Sequence, residues 1–375
     1  MEVLPSRQPE LSIVQKFWQL NWLLVLLITV TASIGFAMLY SAANGSLEPW
    51  AYRQMIRFAL GFLVMLIIAV SSIRFWLRYA YFIYLGCLGL LFVVEFYGST
   101  GMGAQRWIDL GYMTLQPSEV MKIAIILALS RYFYASRMED VERLTYLIIP
   151  ILILAAPTVL IIRQPDLGTA VLIGISGIAI FFLAGVRMWI FITSALAGLG
   201  SLVPIWKFVL LEYQKARILI YLRPEKDPLG AGYHVMQSKI ALGSGGIFGK
   251  GFLGGTQSKL EFLPEHSTDF IFSAFGEESG FLGTLILMIL YLFIALRGLG
   301  ISIKATDNFG RVLSGTISLT IFLYVIVNVG MVIGLLPVVG APLPFMSYGG
   351  TSMVTLFASL GIIMSIKSHQ RILRK

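Results

Sequence analysis

Long apolar runs broken by short polar stretches occupy most of the chain, at about 22–40, 56–73, 77–96, 120–134, 144–162, 169–184, 188–210, 270–296, 312–336 and 351–366. A helix needs about 20 residues to cross the hydrocarbon core of a bilayer, so each run can cross or nearly cross, the fourth and sixth being shortest. The pattern predicts an all-α, polytopic membrane protein with about ten transmembrane helices. Two stretches break the rhythm. Residues 211–269 form the only long hydrophilic segment, and 336–352 is interrupted by Pro337, Gly340, Pro342, Pro344, Gly349 and Gly350. Irregular backbone at membrane depth must be buried in protein or line a wet cavity, which predicts a re-entrant segment there.

Composition agrees with this. Apolar residues make up 57% of the 375 and charged residues 13%, with a mean hydropathy of +0.84, which excludes an ordinary soluble domain. Cys87 is the single cysteine, so disulfides and cysteine-rich metal sites are excluded.

Charge sets the expected orientation. With the N-terminus inside, the cytoplasmic connections hold Arg74, Arg78, Arg137, Arg143, Arg187, Arg297, Lys304 and Arg311, and the tail adds Lys367, Arg371, Arg374 and Lys375. The opposite short loops, 41–49 and 337–345, carry no Lys or Arg. The expectation is one domain over 1–375, both termini cytoplasmic, with 1–21 a cytoplasmic tail and 211–269 a large extracytoplasmic loop. The first apolar run is long enough to stay as an anchor rather than be cleaved. The net charge of +9 then reflects loop asymmetry and attraction to anionic membrane lipids, not nucleic-acid binding.

The candidate chemistry lies at the outer ends of the helices. Asp269 stands where the eighth run begins. A carboxylate there is partly desolvated and is a functional candidate, although capping the following helix is an equally good reading. Glu119 and Lys122, three apart, share a face at the start of the fourth run, and Asp166 precedes the sixth within Gln164-Pro165-Asp166-Leu167-Gly168. Arg53 and Arg57 share a face near the outer surface and suit either lipid phosphates or a pyrophosphate site. The loop 211–269 carries Lys215, Arg217, Arg223, Lys226, Lys239, Lys250 and Lys259, an excess that an anionic substrate would explain. Residues 233–242 read as an amphipathic helix at the interface. The following Gly243–Gly255 stretch contains a formal GxGxxG with no βαβ context, so it is expected to be flexible backbone and not a nucleotide site. The helix middles are nearly free of charge, which argues against a carrier with polar stepping stones at the midplane.

The motifs, taken together, resemble the SEDS family (shape, elongation, division and sporulation), from Trp22 to near the C-terminus. The resemblance rests on Ala104-Gln105-Arg106-Trp107, Gln116-Pro117-Ser118-Glu119, Gln164-Pro165-Asp166-Leu167-Gly168-Thr169, Gln237-Ser238-Lys239-Ile240-Ala241, Thr268-Asp269-Phe270-Ile271-Phe272 and Ser347-Tyr348-Gly349-Gly350-Thr351-Ser352. The blocks Asp227-Pro228-Leu229-Gly230-Ala231-Gly232-Tyr233-His234 and Gly255-Thr256-Gln257-Ser258 look like its rod-shape branch more than its division branch. Two positions depart from the family pattern: Ser267 stands where a His is usual, with His266 one place earlier, and Ala341 replaces a larger aliphatic residue.

The resemblance implies the SEDS fold and a peptidoglycan glycosyltransferase of the bacterial inner membrane. It would polymerise lipid II on the outer face during cell elongation, by inverting transfer with release of undecaprenyl pyrophosphate, beside a class B penicillin-binding protein. Asp269 would be the general base, or with Glu119 would hold a divalent cation, Mg or Mn. Glu119 and Asp166 would orient Lys122 or complete the site. Arg53, Arg106, Arg217, Gln237 and Lys239 would bind substrate. The alternatives are a lipid II flippase and a non-catalytic scaffold.

Overall fold

The computed structural model describes residues 13–101, 104–109, 114–136, 138–209, 215, 219, 221, 231–259 and 265–370. Arg217, Arg223, Lys226 and the segment 260–264 lie outside the described residues, as do the first residues of the N-terminal tail.

Each apolar run becomes one helix: α1 Trp22–Ala42, α2 Ala51–Val70, α3 Ile73–Tyr97, α4 Pro117–Tyr134, α5 Leu144–Arg163, α6 Leu167–Leu183 and α7 Met188–Pro204, then, after the amphipathic α8 Ala231–Ser244, α9 Ile271–Ile303, α10 Asn308–Val332 and α11 Thr351–Gln370. Seven of these are long and apolar enough to span a bilayer by themselves. Of the other three runs, α6 and α7 are shorter apolar helices. The third, α4, carries Glu119, Lys122 and Arg131 within 18 residues.

Burial orders the bundle. α11 packs along α2, α9 along α10, and α3 along α4, while α10 also meets α6 and α4. Most positions around α10 are buried, including Phe309, Leu313, Val325 and Met331, so it is the axis of the bundle. By contrast α3 and α5 leave Phe82, Leu85, Ile148 and Leu152 exposed, as expected of helices facing lipid.

The predicted re-entrant segment is present. Between α10 and α11 the chain has no regular secondary structure, yet Ala341, Leu343, Phe345 and Met346 are buried. Its backbone groups find partners inside the bundle. Tyr291 Oη donates to Pro344 O at 2.5 Å, and Asn328 Nδ2 donates to Ala341 O at 2.7 Å.

The Gly-rich stretch after α8 departs from the flexible backbone expected. Gly280 takes φ 68° and ψ −169°, which breaks α9 one-third of the way along and frees the amides and carbonyls around the break. The loop fills them. Lys250 N and Gly251 N donate to Glu277 O and Glu278 O, and Phe281 N and Leu282 N donate to Gly246 O and Ile247 O, all within 2.9 to 3.1 Å. Side chains lock the same contact. The fully buried Glu277 carboxylate accepts from Lys250 Nζ at 2.6 Å, Thr256 N at 2.9 Å and Thr256 Oγ1 at 2.8 Å. Lys250 therefore serves the fold and not an anionic substrate.

The loop between α3 and α4 is a small antiparallel ribbon, not merely Gly-rich coil. Strands β1 Ser99–Gly101, β2 Ala104–Asp109 and β3 Thr114–Leu115 pair in that order, and β2 carries Arg106 to the mouth of α6.

Candidate active site

Three helix starts and the re-entrant segment converge at one end of the bundle. Pro117 opens α4 with its fixed φ, and the first turn favours the acid Glu119. One turn on, Lys122 Nζ donates to Glu119 Oε1 at 2.7 Å and to Tyr324 Oη of α10, whose ring centroid lies 4.6 Å away. Both charged side chains are buried, at 7% and 8% exposure, so each is held by the other. Thr355 Oγ1 of α11 stands 3.5 Å from Glu119 Oε2. Glu119 and Lys122 also line a partly open pocket, together with apolar side chains such as Ile123, Ile321 and Met353 and hydroxyls such as Ser352 and Ser359.

Asp166 does cap its helix: Oδ1 accepts from Thr169 N at 3.2 Å. It also has a second task. Gln116 Nε2, at the entrance of α4, donates to Oδ2 at 3.2 Å, and Arg106 Nη1 lies 3.6 Å from Oδ1. Arg106 is fixed further by Nη2 donating to Pro165 O at 3.2 Å. Helix α6 starts close under the re-entrant segment, because Gly168 has no side chain to strike Val339 O.

Asp269 is different from both. The residue that caps α9 is Phe270, and no side chain makes a capping hydrogen bond there. The capping reading therefore fails for Asp269. Its backbone is tied down, with Asn328 Nδ2 donating to Asp269 O at 2.8 Å and Ser347 Oγ donating to Thr268 O at 2.6 Å, while its carboxyl faces the re-entrant turn 3.4 Å from where a Cβ on Gly340 would lie. Burial, reinforced by the Glu265 carboxylate and partly offset by the Arg106 guanidinium, pushes the Asp269 carboxyl up from 3.8 to about 6.

Other residues expected here make no direct bond to these acids among the described residues. Arg53 is exposed on α2. Lys239 is exposed on α8, with its ammonium resting against Gly334 at the end of α10, where a helix C-terminus favours a cation. Neither it nor the half-buried Gln237 contacts Asp269, Asp166 or Glu119 among the described residues. Among the described residues no three His, Cys, Asp or Glu side chains gather as a metal-ligand set. Glu119 is held by the Lys122 ammonium, and the acid whose charge acts on Asp269 is Glu265. His266 is buried edge-on to Trp50, 5.3 Å between ring centroids, while Ser267 O accepts from Tyr348 N at 2.9 Å.

Sequence reasoning missed Tyr324, Gln116 and Glu265. A tyrosine inside an apolar run gives no signal, and its role appears only when α10 packs against α4.

The fold and site define a multi-pass membrane protein with a desolvated acid, a buried acid–cation pair and a fixed arginine gathered at one end of its bundle. The chain belongs to the FtsW/RodA/SpoVE family, whose model, described as a cell cycle protein, matches residues 16–372. It is 44% identical over 352 residues to the peptidoglycan glycosyltransferase MrdB of Escherichia coli strain K12, covering 94% of each chain. It is 37% identical over 360 residues to the probable peptidoglycan glycosyltransferase FtsW of Geobacter sulfurreducens, covering 92% of this chain and 95% of the relative. Among solved structures, a chain from work on coordination of polymerization and crosslinking by a peptidoglycan synthase complex aligns with a TM-score of 0.81 at 30% identity, over 94% of this chain and 98% of that one. The rod shape determining protein RodA of Thermus thermophilus aligns with a TM-score of 0.69 at 26% identity, over 93% and 96%.

Proposed function

We propose that this protein is a peptidoglycan glycosyltransferase that polymerises lipid II into glycan strands during cell-wall elongation. The observation that carries the chemistry is Asp269: a carboxyl at a helix mouth that makes no capping bond and is raised to about 6. Such a group is ionised at neutral pH yet basic enough to accept a proton, as a general base requires.

In the proposed step the acceptor sugar hydroxyl attacks the anomeric carbon of the donor from the face opposite its diphosphate. The new C–O bond forms as the bond to the diphosphate breaks, inverting the centre. The hydroxyl proton passes to Asp269, and the bonding pair leaves with undecaprenyl diphosphate. Arg106, fixed by Asp166 and Pro165 O, offsets the growing negative charge. Lys122, fixed by Glu119 and Tyr324, is the second such cation and lines the pocket. The alternative to Asp269 as base is Asp269 as a ligand: with Glu265 and the substrate diphosphate it would hold a divalent cation, Mg or Mn, which would supply the charge stabilisation in place of proton acceptance by Asp269.

The same reading places the protein in the bacterial cytoplasmic membrane, termini inside and site outside, working with a class B penicillin-binding protein that crosslinks the strands. The test is polymerisation of labelled lipid II by purified protein, with and without that partner and a chelator. Strands from wild type and none from Asp269→Asn are expected. Equal strands from the variant would refute the role of Asp269, and lipid II crossing vesicles without polymerising would make the protein a transporter.

A further inference from the structure

A second group of polar atoms lies on the other side of the Asp269 loop. Gln54 of α2 holds the end of the re-entrant segment, with Nε2 donating to Ser347 O at 2.8 Å and Oε1 accepting from Gly349 N at 3.3 Å. One turn further, Arg57 lies flat over Tyr348, Cζ 4.4 Å from the ring centroid, and its Nε is 3.5 Å from where a Cβ on Gly350 would stand. The guanidinium is thus pressed against the residue that precedes α11. Its Nη1 is shielded from solvent and has no hydrogen-bond partner among the described residues. Neither has Thr351 Oγ1, on the first residue of α11, although Thr351 is only 4% exposed. The first-turn amides of a helix also lack intrahelical acceptors and favour an anion.

Unmade hydrogen bonds at buried donors are costly, and here a guanidinium N–H and a hydroxyl, both brought to the start of α11, have no acceptor among the described residues. An aromatic face that fixes the guanidinium plane adds preorganisation. We infer that Arg57, Thr351 and the N-terminus of α11 form a binding site for a lipid-borne phosphate, separate from the cations at Asp269. The two sources of that chemistry are the diphosphate of a prenyl-linked substrate and the headgroup of an anionic phospholipid. The first rests on the polymerase reading: joining two lipid-linked sugars brings two diphosphates together, and Arg106 is placed for one of them. Tyr348 N donates to Ser267 O, so the site is tied to the turn that carries Asp269.

The test is calorimetric titration of the full-length protein in detergent with farnesyl diphosphate, repeated in the presence of phosphatidylglycerol. Arg57→Ala and the shape-conserving Thr351→Val should each weaken one binding event about tenfold or more, as expected for charge-assisted hydrogen bonds to phosphate. Asp269→Asn should leave that event in place. Displacement by phosphatidylglycerol assigns the site to bilayer lipid, and resistance to it assigns the site to the prenyl diphosphate. Thermal unfolding of each variant separates lost binding from lost fold. Unchanged binding in both folded variants overturns the inference. Because the readout is binding without turnover, it stands whether or not wild type makes glycan strands.

Discussion

Asp269 carries its own test in its titration. As a base it must be ionised, so polymerisation should rise with pH through about 6 and then level off. Arg106 lowers this value and Glu265 raises it. Arg106→Ala should therefore move the rising limb to higher pH, and Glu265→Gln to lower pH, in a pH–rate profile of strand synthesis. The stability sign is the opposite of a salt-bridged acid. The folded value lies above the unfolded one, so the penalty is absent below 3.8, grows as pH rises, and is complete above about 6, where it is about 3 kcal/mol. Asp269→Asn should cut the rate about a hundredfold to ten-thousandfold while leaving Tm at pH 7.5 unchanged or higher. A large loss of Tm would make Asp269 structural.

Among the elements, α4 and α9 show how polar groups are kept inside an apolar bundle. Lys122→Met strands Glu119 in a buried site and should cost about 3–5 kcal/mol in unfolding experiments. Adding Glu119→Gln should restore much of that stability, because a buried pair is often no better than its neutral replacement, yet strand synthesis should stay lost. The break in α9 predicts a different failure. Gly280 occupies a region of backbone space essentially closed to other residues, and a Cβ there would meet Ile247 O at 2.6 Å. Gly280→Ala should lower stability by at least about 2 kcal/mol without touching any polar site residue, measured by thermal unfolding in detergent. The glycines of 243–255 were legible in the sequence as backbone with special geometry. What they packed against was not, since the other half of their hydrogen-bond ladder lies in α9, some thirty residues on.

For the whole molecule, the alternation of basic and uncharged short loops predicts a topology that single-cysteine labelling can check. Cys87 is the only cysteine and is buried, so a Cys87→Ala background is clean. Ser46→Cys should react with an impermeant maleimide from outside intact cells, and Thr306→Cys only after permeabilisation; both residues are exposed. The reverse pattern would put Asp269 on the cytoplasmic side. The sequence by itself determined the class and the helices, because a bilayer admits only backbone that satisfies itself, and runs of sufficient length announce where it does so. It also singled out Asp269, Glu119, Lys122 and Asp166 as candidates, because charge at a helix mouth is rare enough in such a chain to stand out. Only the tertiary structure decided their parts. Asp166 and Asp269 look alike in sequence, each preceding an apolar helix, yet one caps it and the other makes no capping bond. Arg53 and Arg57 lie four apart on one helix, yet only the second turns in toward Tyr348. Such differences depend on which atoms from distant segments fill the space around a side chain, and that information exists only once the helices have packed.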